Sequence, residues 1–156
     1  MTRSARVLVI STRASAGEYA DRTGPVIREW LSGRGFETPD PIVVPDAGIA
    51  DALRDVLASA PDVLLTTGGT GVSPDDRTPE ATLAVLDAEL PGLPEELRRR
   101  GAEKTPTALL SRGRAGVAGR TVVVNLPGSL GGVRDGLEVL DGVLDHLLDQ
   151  LAGGDH

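Results

Sequence analysis

Three glycines in four residues, within Thr66-Thr67-Gly68-Gly69-Thr70-Gly71, follow directly on the apolar run Val63-Leu64-Leu65. Val72-Ser73-Pro74-Asp75-Asp76-Arg77 comes next, and Thr78-Pro79-Glu80 then opens a helical pattern. Strand, glycine turn and helix start together make a recurrent phosphate cradle. Backbone N–H groups are reachable where no side chain blocks them, and the helix dipole favours an anion. A Walker A loop needs a lysine after its last glycine, yet Val72 and Ser73 follow Gly71. A dinucleotide fingerprint starting at Gly69 needs a third glycine where the chain has Pro74. Both common phosphate loops are therefore excluded, and a tight turn after a strand stays as the plain alternative.

Asp75, Asp76 and Glu80 lie beside this loop. A carboxylate repels a phosphate by about 1 kcal/mol at 4 Å even in water, and by more in a cleft. A bare phosphate site should lack such acids. A Mg²⁺–phosphate site should have them, because Mg²⁺ binds through one or two carboxylates plus phosphate oxygens. The solvated-loop alternative stays open for Asp75 and Glu80, and function is favoured for Asp76. Two further turns follow apolar runs: Asn125-Leu126-Pro127-Gly128-Ser129 after Val122-Val123-Val124, and Pro45-Asp46 after Ile42-Val43-Val44. In an open parallel sheet such turns share one edge, where ligands bind. Each is also an ordinary turn or cap if taken alone.

The elements that must position these residues are legible. Val7–Ile10, 42–44, 63–65 and 122–124 read as strands buried on both faces. Helices are expected over about 25–32, 49–58 and 79–86, with Thr78 as N-cap and Pro79 in the first turn. A short helix is expected near 95–100. A hairpin-like excursion over 111–121 would turn at Gly113, Gly116 and Gly119. Leu137, Leu140, Leu144, Leu147 and Leu151 predict one long amphipathic helix at the end. Alternating strands and helices give an α/β fold with a mostly parallel sheet. One domain over 1–152 and a frayed tail over 153–156 are expected.

Composition removes several chemistries. The 156 residues are 40% hydrophobic and 2% aromatic, with a formal charge of -7. Too few rings exist for base stacking, and the net charge repels polyanions, so no nucleic-acid partner is expected. With no cysteine, thiolate metal sites and cysteine nucleophiles are excluded. His146, in a helical pattern, and His156 are the only histidines, which argues against a Ser-His-Asp or multi-histidine zinc site. Lys104, the sole lysine, sits in a polar connector and is a poor Schiff-base candidate. The first apolar run is short for a signal peptide, and no segment approaches membrane-spanning length, so a soluble, cytoplasmic protein away from membranes is expected.

Several motifs together resemble the Mog-type molybdopterin adenylyltransferases, whose domain also occurs in gephyrin. They are the glycine loop, Asp76-Arg77-Thr78-Pro79-Glu80-Ala81-Thr82, Pro91-Gly92-Leu93 with Glu95, Pro106-Thr107-Ala108 with Leu110-Ser111-Arg112, and Asn125-Leu126-Pro127-Gly128. They fall in the family's order over nearly the whole chain. The actinobacterial members resemble it most, in the ending Gly131-Gly132-Val133-Arg134-Asp135-Gly136-Leu137. The resemblance implies a three-layer α/β/α sandwich, a homotrimer, and transfer of AMP from Mg-ATP to the terminal phosphate of molybdopterin. It also makes the molybdenum-inserting enzyme a candidate recipient of the product. It matches two important family aspartates to Asp46 and Asp76, assigned here as catalytic residues and Mg²⁺ ligands. It lines the nucleotide and pterin site with Thr67, Gly68, Gly69, Thr70, Gly71, Thr78, Pro79, Glu80, Ser111, Arg112, Asn125, Pro127, Gly128 and Ser129. Arg112 or Arg13 is a candidate phosphate contact, and a structural arginine is the alternative for each.

Two positions depart from the family pattern. Thr12 stands where members often carry aspartate, and Asp75 where many carry arginine, a local change of two charge units that raises the weight of a metal. The rival readings are a molybdopterin-holding or scaffold domain without turnover, and an NAD-type oxidoreductase. The pair of acids favours catalysis over the first, and the missing third glycine argues against the second.

Overall fold

The computed structural model describes residues 2–154; Asp155 and His156, the end of the expected tail, lie outside the described residues. Six strands form one sheet in the order β2-β1-β3-β6-β5-β4. They are β1 (Ala5–Ile10), β2 (Ile42–Val44), β3 (Val63–Thr67), β4 (Ala88–Glu89), β5 (Ala115–Ala118) and β6 (Thr121–Leu126). The first four in that order run parallel, while β5 and β4 are antiparallel to their neighbours.

The apolar runs form strands because both faces of the sheet are covered. Alternate side chains go to opposite faces. Val7, Val9, Val63, Leu65, Val122 and Val124 enter one core. Leu8, Ile10, Leu64 and Val123 enter the other. The first core is closed by α2 (Thr23–Gly33), α6 (Leu130–Asp141) and α7 (Leu144–Leu151), through Ile27, Leu31, Val133, Leu140 and Leu148. The second is closed by α3 (Ile49–Ala58), through Ile49, Leu53 and Val56, with Ala81 of α4 (Thr78–Val85) packed beside it. Burying each such Leu, Ile or Val stabilises the fold by about 1.5–3 kcal/mol. The other helices are α1 (Thr12–Ser15) and α5 (Gly92–Lys104), with short 3-10 turns at Asp46–Gly48 and Pro106–Leu110.

The three-layer expectation matches this architecture, with four local corrections. The C-terminal helix is two helices, parted at Gly142-Val143, where Val143 N–H reaches back to Leu140 O at 3.1 Å. Gly142 weakens helix propagation there by about 1 kcal/mol relative to alanine. Both halves feed the same core, so the leucine spacing is kept across the break. The expected hairpin is β5–β6, but only Gly119 turns it, at φ +61°. Gly116 lies inside β5, under the Ala88 carbonyl of β4, where a side chain would clash. Helix α5 is longer than the short helix expected, extended by Glu96–Arg100 and Arg99–Glu103 pairs at i,i+4. Thr78 is not an N-cap: Arg77 holds that position without a side-chain bond, and Thr78 is the first helical residue. Its hydroxyl is drawn instead to the Gly68 carbonyl at 3.1 Å.

Candidate active site

The carboxyl ends of β1, β2, β3 and β6 share one edge, as their parallel pairing requires. That edge brings together Ser11 and Thr12, Asp46, the glycine loop, and the Asn125–Ser129 turn. At Gly68 and Gly69 the backbone is left-handed, with φ of +95° and +69°. A side chain at Gly68 would run into the Ile10 carbonyl, and one at Gly69 into the Thr78 hydroxyl. These two glycines let the loop pass over the end of β1 in a conformation other residues resist.

The loop is held by its carbonyls. Gly68 O accepts from Thr78 Oγ1, and Gly69 O from Thr78 N at 3.2 Å. Thr70 O accepts from Arg112 N at 2.8 Å, and Gly71 O from Arg112 Nε at 2.8 Å. The amides of Gly69, Thr70 and Gly71 have no acceptor among the described residues. Four fixed carbonyls and three free N–H groups are what an anion cradle requires.

Asp46 and Asp76 flank this loop. Asp46 Oδ1 lies 3.4 Å from where a Gly69 Cβ would stand, and Asp76 Oδ2 2.8 Å from that of Gly71. Thr12 Oγ1 donates to Asp46 Oδ2 at 2.8 Å, and Ser73 N–H donates to Asp76 Oδ2 at 3.1 Å. The Oδ1 atom of each aspartate accepts no hydrogen bond from the described residues. No group of three or more His, Cys, Asp or Glu side chains able to hold a metal occurs among the described residues. Two acids flanking the free amides, each with an oxygen that accepts no bond from the described residues, suit a Mg²⁺ ion shared with a phosphate, which needs no all-protein cage.

Two cavities adjoin the loop. The larger, of about 450 Å³, is lined by Thr70, Gly71, Ser111, Asn125, Pro127 and Gly128, among others. Pro94, Leu97 and Leu110 give it apolar walls. The other, of about 310 Å³, is lined by Ser11, Tyr19, Thr67 and Gly68. Gly128 and Ser129 line both.

The remaining expected site residues also make contacts within the protein. Glu80 and Arg112 form an ion pair at 2.5 Å, and Arg112 also donates to Asp76 O at 3.1 Å. The hydrogen bond from Arg112 holds the Glu80 carboxyl below the usual carboxylate range. Arg112 thus braces the loop, and Arg13 is paired with Glu18. Thr78 and Pro79 are buried under the loop. Asn125 Nδ2 donates to Thr66 and Thr82 hydroxyls at 2.9 and 3.0 Å, while its Oδ1 accepts from Arg114 N at 2.9 Å. Ser129 caps α6 through Gly132 N. Thr67 Oγ1 donates to Pro127 O at 2.7 Å, tying the two turns together.

Sequence reading passed over Ser11 and Tyr19, whose hydroxyls share a 2.8 Å hydrogen bond at the smaller cavity. It also passed over Asp135, which lines the larger cavity with Lys104. Being the sole tyrosine was the available signal for Tyr19. Asp135 entered only as part of the ending Gly131–Leu137, with no role attached, since one acid in a helical pattern is ordinarily solvated.

Fold and site together define a mostly parallel α/β protein with a glycine loop, two flanking acids and two cavities at the carboxyl edge of its sheet. The family model described as "Probable molybdopterin binding domain" matches residues 6–146, and the chain belongs to that family. It is 39% identical over 142 residues to the molybdopterin adenylyltransferase of Escherichia coli strain K12, covering 87% of this chain and 71% of that protein. A molybdenum cofactor biosynthesis bifunctional protein of Synechococcus elongatus is 37% identical over 154 residues. That match covers 97% of this chain, which spans only 48% of the relative's length. The solved structure of the molybdopterin biosynthesis Mog protein from Mycobacterium ulcerans is 53% identical, with a TM-score of 0.92 and coverage of 96% and 99% of the two chains. Among the described residues no helix is long and apolar enough to cross a membrane.

Proposed function

We propose that the chain is a molybdopterin adenylyltransferase, one domain over residues 1–152. It would transfer AMP from ATP to the terminal phosphate of molybdopterin, forming adenylyl-molybdopterin and pyrophosphate. The observation that carries this reading is the pair of cavities meeting at Gly128 and Ser129 on either side of the glycine loop. A two-substrate transfer needs two such compartments and one shared anion cradle. A domain that only held molybdopterin would need one. The names of the relatives support the same reaction.

Attack of one phosphate on another needs no general base, because the attacking oxygen is already deprotonated at neutral pH. A phosphate oxygen of molybdopterin forms a bond to the α-phosphorus of ATP, and the bond to the bridging oxygen of pyrophosphate breaks. What the protein contributes is positioning and neutralisation. The amides of Gly69, Thr70 and Gly71 would hold phosphate oxygens in fixed positions. Thr78 and Arg112, through the loop carbonyls, would keep those amides aimed. Asp46 and Asp76 would hold Mg²⁺, which when bound offsets the charge gathered on the reacting phosphates. A homotrimer, a cytoplasmic setting and hand-over to the molybdenum-inserting enzyme accompany this reading on the family resemblance.

The test is incubation with molybdopterin, ATP and Mg²⁺, with adenylyl-molybdopterin and pyrophosphate detected by mass. The expected result is formation of both products. Molybdopterin binding without ATP consumption would overturn the enzyme reading in favour of a holding domain.

A further inference from the structure

Asp135 is an acid in a place that ordinarily excludes one. It lies on α6 between Val133 and Leu137, is 6% exposed, and lines the larger cavity. Its Oδ1 accepts from Lys104 Nζ at 2.6 Å. Its Oδ2 accepts no hydrogen bond from the described residues, and it is not among their fully enclosed, unpartnered atoms. That oxygen is therefore open to the cavity. Burying an acceptor without a partner is costly, so a standing open acceptor in an apolar-walled cavity calls for a donor from a ligand.

The two substrates of the proposed reaction differ in what they offer a carboxylate. The pyrimidine ring of a pterin carries N3–H and the 2-amino group side by side, a guanidine-like pair of donors for the open Oδ2 and for the second lone pair of Oδ1, which holds one bond from Lys104. Adenine carries one amino donor beside a ring-nitrogen acceptor, which a carboxylate repels. Lys104 offsets part of the Asp135 charge, leaving a site suited to a neutral ring with two donors. A bidentate contact also fixes the ring in its plane.

We infer that Asp135 is the specificity-determining residue for the pterin ring and that the larger cavity takes the pterin rather than the adenine. This rests on the adenylyltransferase reading for the presence of both ligands. Its own content is the donor pattern that the cavity selects.

The test uses the whole chain, with pterin and lumazine as fluorescent probes. Lumazine has an oxo group in place of the 2-amino group, so it lacks the adjacent donor pair. Wild type should bind pterin about tenfold or more tighter than lumazine. Asp135→Asn should lose about tenfold or more in pterin affinity, changing lumazine binding little, with a melting curve that verifies folding. Lys104→Met should keep the preference for pterin, which separates recognition from a merely structural ion pair. Equal binding of the two probes by wild type, no pterin binding, or an unchanged preference in Asp135→Asn would each overturn the inference. The wild-type comparison decides it even if a variant fails to fold. Adenylyl transfer with an unchanged molybdopterin KM in Asp135→Asn would overturn it while leaving the proposed function standing. Pterin selection by wild type without adenylyl transfer would do the reverse.

Discussion

Thr12 and Asp46 are tied to each other twice. The Thr12 hydroxyl donates to Asp46 Oδ2 at 2.8 Å and accepts from Asp46 N at 3.0 Å. A hydroxyl does both through one atom, whereas an aspartate in its place would add a second negative charge beside Asp46. The pair joins the end of β1 to the end of β2 and leaves Asp46 Oδ1 turned toward Gly69. Thr12→Val keeps the shape and removes both bonds. Adenylyl transfer should fall about tenfold, while the melting temperature changes little because the site is exposed. An unchanged rate would remove Thr12 from the positioning of Asp46.

Asp76→Ala should fold normally and lose adenylyl transfer by about a hundredfold or more, as expected when a group that neutralises reacting phosphates is removed. Asp46→Asn should leave molybdopterin unreacted. Product formation is followed at several Mg²⁺ concentrations. A rate independent of Mg²⁺ in wild type, or full activity in either variant, would reject the two acids as metal ligands.

Gly69→Ala must take φ +69° and place its Cβ against the Thr78 hydroxyl. The backbone cost alone is about 1–2 kcal/mol. A drop of that size or larger in denaturant-unfolding stability is expected, with loss of activity because the neighbouring amides are displaced. A variant as stable as wild type would contradict the loop conformation described.

Acid should loosen the loop through Glu80. Its carboxyl is held below the ordinary value of 4.5 by the Arg112 hydrogen bond. A depressed carboxyl contributes stability that is fully present above its unfolded pKa and is lost as pH falls through the folded one. Stability should therefore decline as pH drops below about 4.5, and Glu80→Gln should remove part of that decline. The contribution is small, since half of the Glu80 side chain faces solvent. Melting temperatures of both proteins from pH 7 to pH 3 check this. Parallel curves would dissociate Glu80 from the effect.

Local pattern and composition determined a good deal. Unbroken Val, Leu and Ile runs specify strands buried on both faces, and their alternation with helical periods specifies a parallel α/β sheet. The glycines after β3 and the acids beside them mark the anion site, because side-chain absence and charge are readable without coordinates. Ile49–Ala58 is helical over the span expected. The break at Gly142 was less legible, because the leucine period continues through it. The short β4 is exposed and two residues long, too brief to show a period.

Tertiary structure alone decided which polar groups stay free. Thr78, Arg112 and Asn125 are the right residue types for ligand contacts, and each also bonds a protein partner that its own local sequence does not announce. Asp135 looks like an ordinary surface acid in the sequence, yet packing of α6 against α5 seals it into a cavity with one oxygen open. Residue type fixes what a group can donate or accept. Whether it still has that capacity to offer depends on neighbours that only the folded chain brings within hydrogen-bonding distance.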